Sequence, residues 1–321
     1  MPHATPFGPM RLPVCAAPMF LVSGPDLVLA ACRAGIMGSF PTPNVRKIEE
    51  LDAWMETITA GLAAARAADP AALIGPWAVN LVTHSSNNRI AEDLALVAKY
   101  RPPVVITALG SPRPAIETVH GYGGKVIADV ISLPLARKAL AAGADGLACV
   151  SAGAGGHTGF LSPFAFIAAL REMFDGPIIV GGGIADGAGV AGAIAAGADL
   201  VYVGTAFIPA SESIAPEEHK QMVVDASIDD LLVTAAISGT PASWLKPSLV
   251  KAGIDPADLG RPHERKYDSN AALPKRWLEL FAAGQGVGAS RAIEPVEAIV
   301  ARMERGYDAA MRRLAGLSIS H

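Results

Sequence analysis

Eight short apolar runs of strand length alternate with helical segments over residues 14–203. This predicts an α/β fold built of parallel βαβ units and closed as a (β/α)8 TIM barrel. Two further observations support it. The strand runs lack strict apolar–polar alternation, as expected where both faces of a parallel sheet are buried. An identical corner, Ala141-Ala-Gly-Ala-Asp145 and Ala195-Ala-Gly-Ala-Asp199, ends two helices with glycine and leads each into a strand. That repeat fits a doubly wound sheet almost as well, so the barrel rests on the count of units.

The expected strands are residues 14–17, 37–40, 77–81, 104–107, 125–129, 146–150, 178–181 and 200–203. Residues 48–67 have helical periodicity, with Leu51, Trp54, Ile58 and Leu62 on one side. Residues 134–142 and 189–196 are shorter Ala-rich helices, and Pro134 suits a first turn because its missing N–H would have no partner there. After Val203 residues 213–226 look helical and no ninth strand is expected. Residues 228–274 read as loop, including Lys246-Pro247 and a polar stretch over 260–270. Residues 295–317 form an amphipathic helix with Val296, Ile299, Val300, Met303 and Met311 on its apolar side. Residues 1–225 are therefore expected to form the barrel, and 226–321 a loop-rich, mainly helical extension packed on it.

Composition narrows the function. The 321-residue chain is 51% hydrophobic and 17% charged, against a usual charged share of about 25%. Its net charge of −4 comes without any Lys/Arg block of the kind that marks nucleic-acid binding. Residues 12–22 are apolar but interrupted by Pro13 and Pro18, which suits a strand and its loop better than a signal peptide. Between Asp145 and Arg171 there is no charged residue apart from His157 when protonated, yet Gly, Ser, Thr and Pro163 occupy the middle of that stretch, so a membrane helix is not expected. Cys15, Cys32 and Cys149 are odd in number and lack metal spacing, which points to reduced core thiols, a cytoplasmic protein and no metal site. Homo-oligomer formation stays open.

Three motifs carry chemistry. Gly181-Gly-Gly-Ile-Ala-Asp-Gly187 follows the seventh strand, and Gly204-Thr205 follows the eighth. Glycine turns let backbone N–H groups converge, and a helix starting near Asp186 adds its positive end. Barrel enzymes often bind phosphate between these two loops. One glycine triplet alone would read as a tight turn; two turns on adjacent strands favour phosphate. The late position and the lack of G-x-G-x-x-G spacing exclude a dinucleotide turn. Ser151-Ala-Gly-Ala-Gly-Gly-His-Thr-Gly159, after the sixth strand, lets a flat ligand approach the backbone. A lone histidine is more often structural than catalytic, but His157 sits in an apolar-flanked loop, expected to be flexible, on the active face, where acid–base work is favoured. Trp77-Ala-Val-Asn80-Leu81 ends a strand in an amide that needs partners, either a ligand's polar edge or a neighbouring backbone group. His84, in the loop that follows, is either a pocket residue or an exposed one. Met19, Phe20 and Phe160 are expected as apolar walls.

In order along the chain these motifs resemble the nitronate monooxygenase family, formerly called 2-nitropropane dioxygenases, over most of the sequence. Ala16-Ala-Pro-Met19, Trp77-Ala-Val-Asn-Leu81, Ala154-Gly-Gly-His-Thr-Gly159, Gly182-Gly-Ile-Ala-Asp-Gly187, Gly204-Thr-Ala-Phe207 with Glu212-Ser213, and Ala283-Gly-Gln-Gly286 are the matching segments. The resemblance implies bound FMN and no metal. It implies His157 as catalytic base or substrate-orienting group. It implies cofactor contacts from Ala17, Pro18, Met19, Asn80, Gly155, Gly156, Gly181, Gly182, Gly183, Gly204, Thr205 and Gln285. Some relatives carry Lys at the end of strand five, where this chain reads Val126-Ile-Ala-Asp129. Others carry Ser at the place of Gly181, and often Glu at the place of Gly153.

The expected activity is FMN-dependent oxidation of nitronates or nitroalkanes with dioxygen as the second substrate. The main alternative keeps FMN but passes electrons from NAD(P)H to a quinone or an enoyl-ACP thioester. A nucleotide or phospho-sugar barrel of the IMP-dehydrogenase type would need a cysteine in the loop after strand six, whereas Cys149 lies within the strand. A binding barrel without catalysis is a fourth reading that fold alone does not remove.

Overall fold

The structure is a computed structural model that describes residues 2–259 and 280–317. A hairpin of β1 (His3–Thr5) and β2 (Gly8–Met10) precedes the barrel. The barrel strands are β3 (Val14–Ala16), β4 (Met37–Pro41), β5 (Trp77–Val82), β6 (Val104–Ala108), β7 (Lys125–Val130) and β8 (Gly146–Val150). After a two-residue strand outside the barrel, β9 (Gly156–His157), they continue with β10 (Ile178–Gly181) and β11 (Leu200–Val203). All neighbours in the barrel are parallel, and β11 pairs with β3 to close it. The last three barrel strands begin and end where the sequence places them, and the first five differ by a residue at one end.

Helices α1 (Pro25–Arg33), α2 (Ile48–Ala68), α3 (Ile90–Tyr100), α4 (Arg113–His120), α5 (Leu133–Ala141), α6 (Pro163–Arg171) and α7 (Gly187–Ala195) follow the first seven barrel strands. On α2, Leu51, Met55, Ile58 and Leu62 are buried. Trp54 is only partly covered and packs edge-on against Phe40, with ring centroids 5.7 Å apart. The repeated corners share one physical device. The Asp145 carboxylate accepts from the Val126 N–H at 2.7 Å, and Asp199 accepts from Ile178 N–H at 2.8 Å. Each aspartate thus satisfies the first amides of the preceding strand.

Alternate side chains fill the barrel interior: Cys15, Met37, Ala78, Ile106, Ile127, Ala148, Ile179 and Leu200 form one buried cluster, with Met10 from the hairpin. Because strand side chains repeat every second residue, Asn80, Asp129 and Tyr202 stand on the same interior face, two positions further towards the C-terminal mouth. The thiols of Cys15, Cys32 and Cys149 are free and buried, and burial pushes the Cys32 thiol up to about 12.

Past the barrel the structure departs from the sequence reading. The expected helix over 213–226 is α8 (Glu217–Asp225); Ile214 instead donates its N–H to Val22 in an irregular contact. Strands do follow: β12 (Leu231–Thr234) and β13 (Ala242–Leu245) make a small antiparallel sheet with β9, outside the barrel. Helix α9 (Lys246–Lys251) comes next. The polar stretch 260–270 and the loop reading up to 274 lie outside the described residues. The last helix, α10 (Val296–Gly316), buries Val296, Ile299, Val300, Met303 and Tyr307. Met311 is 44% exposed, because the helix outruns the surface it packs on. Helix α10 lies against α7 so closely that a β-carbon on Gly187 would stand 1.9 Å from the Met303 carbonyl oxygen. No helix among the described residues is long and apolar enough to cross a membrane.

Candidate active site

Parallel strands end on one side, so the loops after all eight converge at one mouth. A cavity of about 1420 Å³ opens there, above the roughly 300–1,000 Å³ of an ordinary ligand pocket. Of the residues singled out from sequence, Ala17, Pro18, Met19, Asn80, Gly155, Gly156, His157, Gly181, Gly182, Gly183, Gly204 and Thr205 line it. Gln285 does not; its neighbours Ala283 and Gly286 do.

The glycine loops touch one another. Gly182 (φ +143°) and Gly183 (φ +69°) occupy conformations that glycine favours. A β-carbon on Gly182 would lie 2.5 Å from the Ala152 carbonyl oxygen, so the loop after β10 runs directly against the loop after β8. The Gly153 carbonyl accepts from Gly183 N–H at 3.1 Å and from Gln285 N–H at 2.8 Å. Gln285 therefore packs behind the loop; a β-carbon on Gly153 would meet its Oε1 at 2.8 Å. Gly284 N–H donates to the Thr205 hydroxyl at 2.9 Å. One short segment thus ties together the loops after β8, β10 and β11. The helix end near Asp186 is partly used by the chain itself, since the Asp186 carboxylate caps α7 by accepting from Gly189 N–H at 2.7 Å.

His157 is not in a flexible loop. It belongs to β9, where His157 pairs with Ala242 and Gly156 with Ser243. Thr158 N–H adds a bond to the Pro241 carbonyl at 3.1 Å, and the Thr158 hydroxyl donates to the Ser151 carbonyl at 3.1 Å. The half-buried imidazole is therefore held on the cavity wall by backbone pairing to β13.

Asn80 does not turn to a neighbouring backbone group. Its amide donates to Asp129 Oδ2 at 3.3 Å, and the Tyr202 hydroxyl donates to Asp129 Oδ1 at 3.4 Å. The three side chains form a polar layer in the barrel mouth. Burial pushes the Asp129 carboxyl up to about 7, against the smaller downward pull of those two hydrogen bonds.

His219, on α8, is a cavity residue that sequence reasoning missed. It lies in Glu217-Glu-His-Lys220, which reads as an exposed helix face, and its burial comes from Phe281, far along the chain. The rings stack with centroids 4.5 Å apart and planes 7° apart. Nε2 meets the Ala282 carbonyl at 3.0 Å; a carbonyl only accepts, so Nε2 carries the hydrogen. Burial lowers its pKa to about 4, which keeps the ring neutral.

Arg89 braces the opposite side. It donates to the carbonyls of Thr42, Val45 and Arg46 and to Asp93, the last at 2.9 Å. Met19 and Phe20 line the cavity as expected. Phe160 is 78% exposed and outside it, because the turn to α6 carries it away from the mouth. His84 is exposed in its loop, with Nδ1 2.7 Å from the Ser86 hydroxyl. Among the described residues no group of three His, Cys, Asp or Glu side chains is gathered for a metal ion.

Comparison with known proteins agrees with this architecture. The family described as nitronate monooxygenase matches residues 3–304. A nitronate monooxygenase of Paraburkholderia phytofirmans is 28% identical, over 94% of this chain and 94% of that protein. A (3aS,4S,5R,7aS)-5-hydroxy-7a-methyl-1-oxo-octahydro-1H-indene-4-carboxyl-CoA dehydrogenase of Mycobacterium tuberculosis is 28% identical, over 74% of this chain and 64% of that protein. Among solved structures, FabK from Thermotoga maritima superposes with a TM-score of 0.76 at 26% identity, covering 96% of each chain.

Proposed function

The chain belongs to the nitronate monooxygenase family of flavin-dependent oxidoreductases, and on that footing we propose that its cofactor is FMN and that it oxidises nitronates or nitroalkanes with dioxygen. The observation that carries this reading is the meeting of two glycine turns, Gly181–Gly183 and Gly204–Thr205, with His157 on the wall of the same cavity.

The residues present fit FMN. The β-position of Gly183 has no neighbour nearer than Gln285 at 3.6 Å, and that of Gly204 none nearer than Met19 Sδ at 3.4 Å. A phosphate can therefore approach the backbone of both turns. The Ala17, Pro18 and Met19 backbone and Asn80 would hold the ring system, with Gly155 and Gly156 beside it and Gln285 fixing the glycine loops from behind. When bound, the flavin supplies the electron acceptor and the centre that reacts with dioxygen. His157 takes the proton from a neutral nitroalkane. A preformed nitronate has already lost that proton and needs only binding and orientation. Met19 and Phe20 keep water from the substrate side. His219, held neutral by burial, adds no charge to the pocket. The three buried free thiols suit a reducing, cytoplasmic compartment.

The purified protein should be yellow, and heat should release FMN rather than FAD. It should consume oxygen with a nitronate. A protein that stays colourless after incubation with FMN rejects the cofactor, and a yellow protein inert towards nitronates rejects the substrate. A second reading, electron transfer from NAD(P)H to a quinone or an enoyl thioester, is favoured by the cavity's volume. It is also favoured by Arg113 and Lys138, two exposed cations on the cavity lining that suit an anionic carrier. Rapid anaerobic bleaching of the flavin by NADH would select it.

A further inference from the structure

Two carboxyl groups line the cavity among the described residues. Asp93 is matched by Arg89 at 2.9 Å. Asp129 has no such counter-ion. The side chains that face it are Asn80 from β5, Tyr202 from β11 and Cys15 from β3, while the Cys149 thiol of β8 lies on the outer face of the barrel within reach of its charge. None is a cation, and burial raises both thiols and the Tyr202 phenol, so they remain protonated. The other ionisable side chains on the cavity lining, among the described residues, are Arg46, Arg89, Asp93, Arg113, Lys138, His157 and His219, and none of them is within ion-pair distance of Asp129.

The Asn80 and Tyr202 bonds are donations to the carboxyl oxygens, and both are long, at 3.3 and 3.4 Å. Neither neighbour is placed to neutralise a full negative charge. The carboxyl also keeps part of its surface open to the cavity although protein surrounds it. It is a buried acid group without a cation beside it, pushed up to about 7 by burial, on the lining of the cavity proposed to hold the flavin.

We propose that Asp129 is the proton store of the flavin site, taking up a proton when the bound flavin is reduced and releasing it on reoxidation. The proposal rests on the FMN reading. Reduction by two electrons and one proton would leave a bound flavin with one negative charge more than its oxidised form. A like charge arriving in the same low-dielectric space raises the pKa of a carboxyl. The Asp129 carboxylate therefore binds a second proton, so that two electrons and two protons enter the site together. Reoxidation would remove that charge, and Asp129 would release its proton to the solvent of the cavity. Asp129 then serves a positioning and charge-balancing role where a cation would otherwise be needed, and Asn80 and Tyr202 hold it in place.

The test is the two-electron midpoint potential of the holoenzyme between pH 5.5 and 9. Each coupled proton steepens the slope by about 30 mV per pH unit, a tenfold change converted for two electrons. The wild type should follow one proton below about pH 7 and two above it. Asp129→Asn should follow one proton throughout, and His157→Asn should keep the wild-type break. An unbroken one-proton line in the wild type, a break that survives in Asp129→Asn, or a break lost in His157→Asn would each overturn the proposal. If Asp129→Asn fails to hold flavin, infrared difference spectra of the wild type at pH 8 decide: a protonated-carboxyl band must grow on reduction, and its absence overturns the assignment. The colour of the starting protein separates the two ideas. A colourless protein removes the FMN reading and this proposal with it, whereas a yellow protein without the break removes only the proposal.

Discussion

The backbone N–H of Gly284 donates to the hydroxyl of Thr205 at 2.9 Å, across 79 positions of sequence. Thr205, just past the eighth barrel strand, thus anchors a segment from beyond the barrel. Thr205→Val keeps the shape but leaves a buried N–H without an acceptor, which costs about 1–3 kcal/mol. Urea unfolding should show that loss, Thr205→Ser should restore most of it, and amide exchange at Gly284 should rise in the valine variant alone.

Gly183→Asp should lose FMN while staying folded. Aspartate tolerates a positive φ better than most residues, and the nearest atom to its β-carbon would be 3.6 Å away. Its carboxylate would project into the place proposed for the phosphate and repel it. The ratio of flavin to protein absorbance measures the effect, with circular dichroism as the check on folding. Normal flavin content would move the phosphate elsewhere.

His157→Asn should slow turnover of neutral nitroalkanes by about 10²–10⁴-fold, the usual contribution of a general base, and that of preformed nitronates far less. The variant should keep its flavin, because β9 is held by backbone pairing to Ala242 and Ser243, which the substitution leaves in place. Equal losses on both substrates would make His157 an orienting group, and no loss on either would make it structural.

The pH dependence of stability should carry a signature of His219. Its pKa is lowered from 6.5 to about 4 in the folded chain, so the unfolded chain binds the extra proton between those values. The contribution is complete above about pH 6.5 and falls by roughly 1.4 kcal/mol per pH unit towards pH 4. His219→Gln, which keeps a donor for Ala282, should flatten the curve over that window. Unfolding free energies at pH 7.5, 6 and 5 for both proteins provide the comparison; parallel curves would contradict the assignment.

Arg89→Ala should destabilise the chain by about 3–5 kcal/mol, as expected when one partner of a buried ion pair is removed. Asp93 would be left buried without its cation, and the carbonyls of Thr42, Val45 and Arg46 would lose a donor. A denaturation midpoint within error of the wild type would show that water replaces the guanidinium without loss.

The barrel was legible in the sequence because each unit carries a local signal: an apolar run, a glycine at a helix end, a proline in a first turn. Strands 146–150, 178–181 and 200–203 are bounded by such residues on both sides, and their ends match the structure. The β9–β13 pairing was not legible. Two residues in a glycine-rich segment have no period, and their strand character exists only through Ala242 and Ser243. The cavity-facing role of Asn80 could be read from its place at the end of an apolar strand. Asp129 and Tyr202 carry the same signal, each two residues beyond an interior side chain, Ile127 and Leu200. What joins them is the closure of the barrel, and no local pattern encodes it. His219 was hidden for a related reason, since its covering ring, Phe281, lies far along the chain and no local pattern links the two.

The segment that carries Gly284 and Gln285 also sets an order of events. Its bonds to Thr205 and Gly153 close long loops of chain, and such contacts form late because the entropy of closure falls due before the contact contributes. During synthesis the eight strands can emerge and pair before this segment has been made. The glycine loops therefore have their final spacing only once residue 286 is free of the ribosome. Cofactor loading then waits for that segment, and a nascent chain arrested before that point would present a barrel with an open and unclamped mouth.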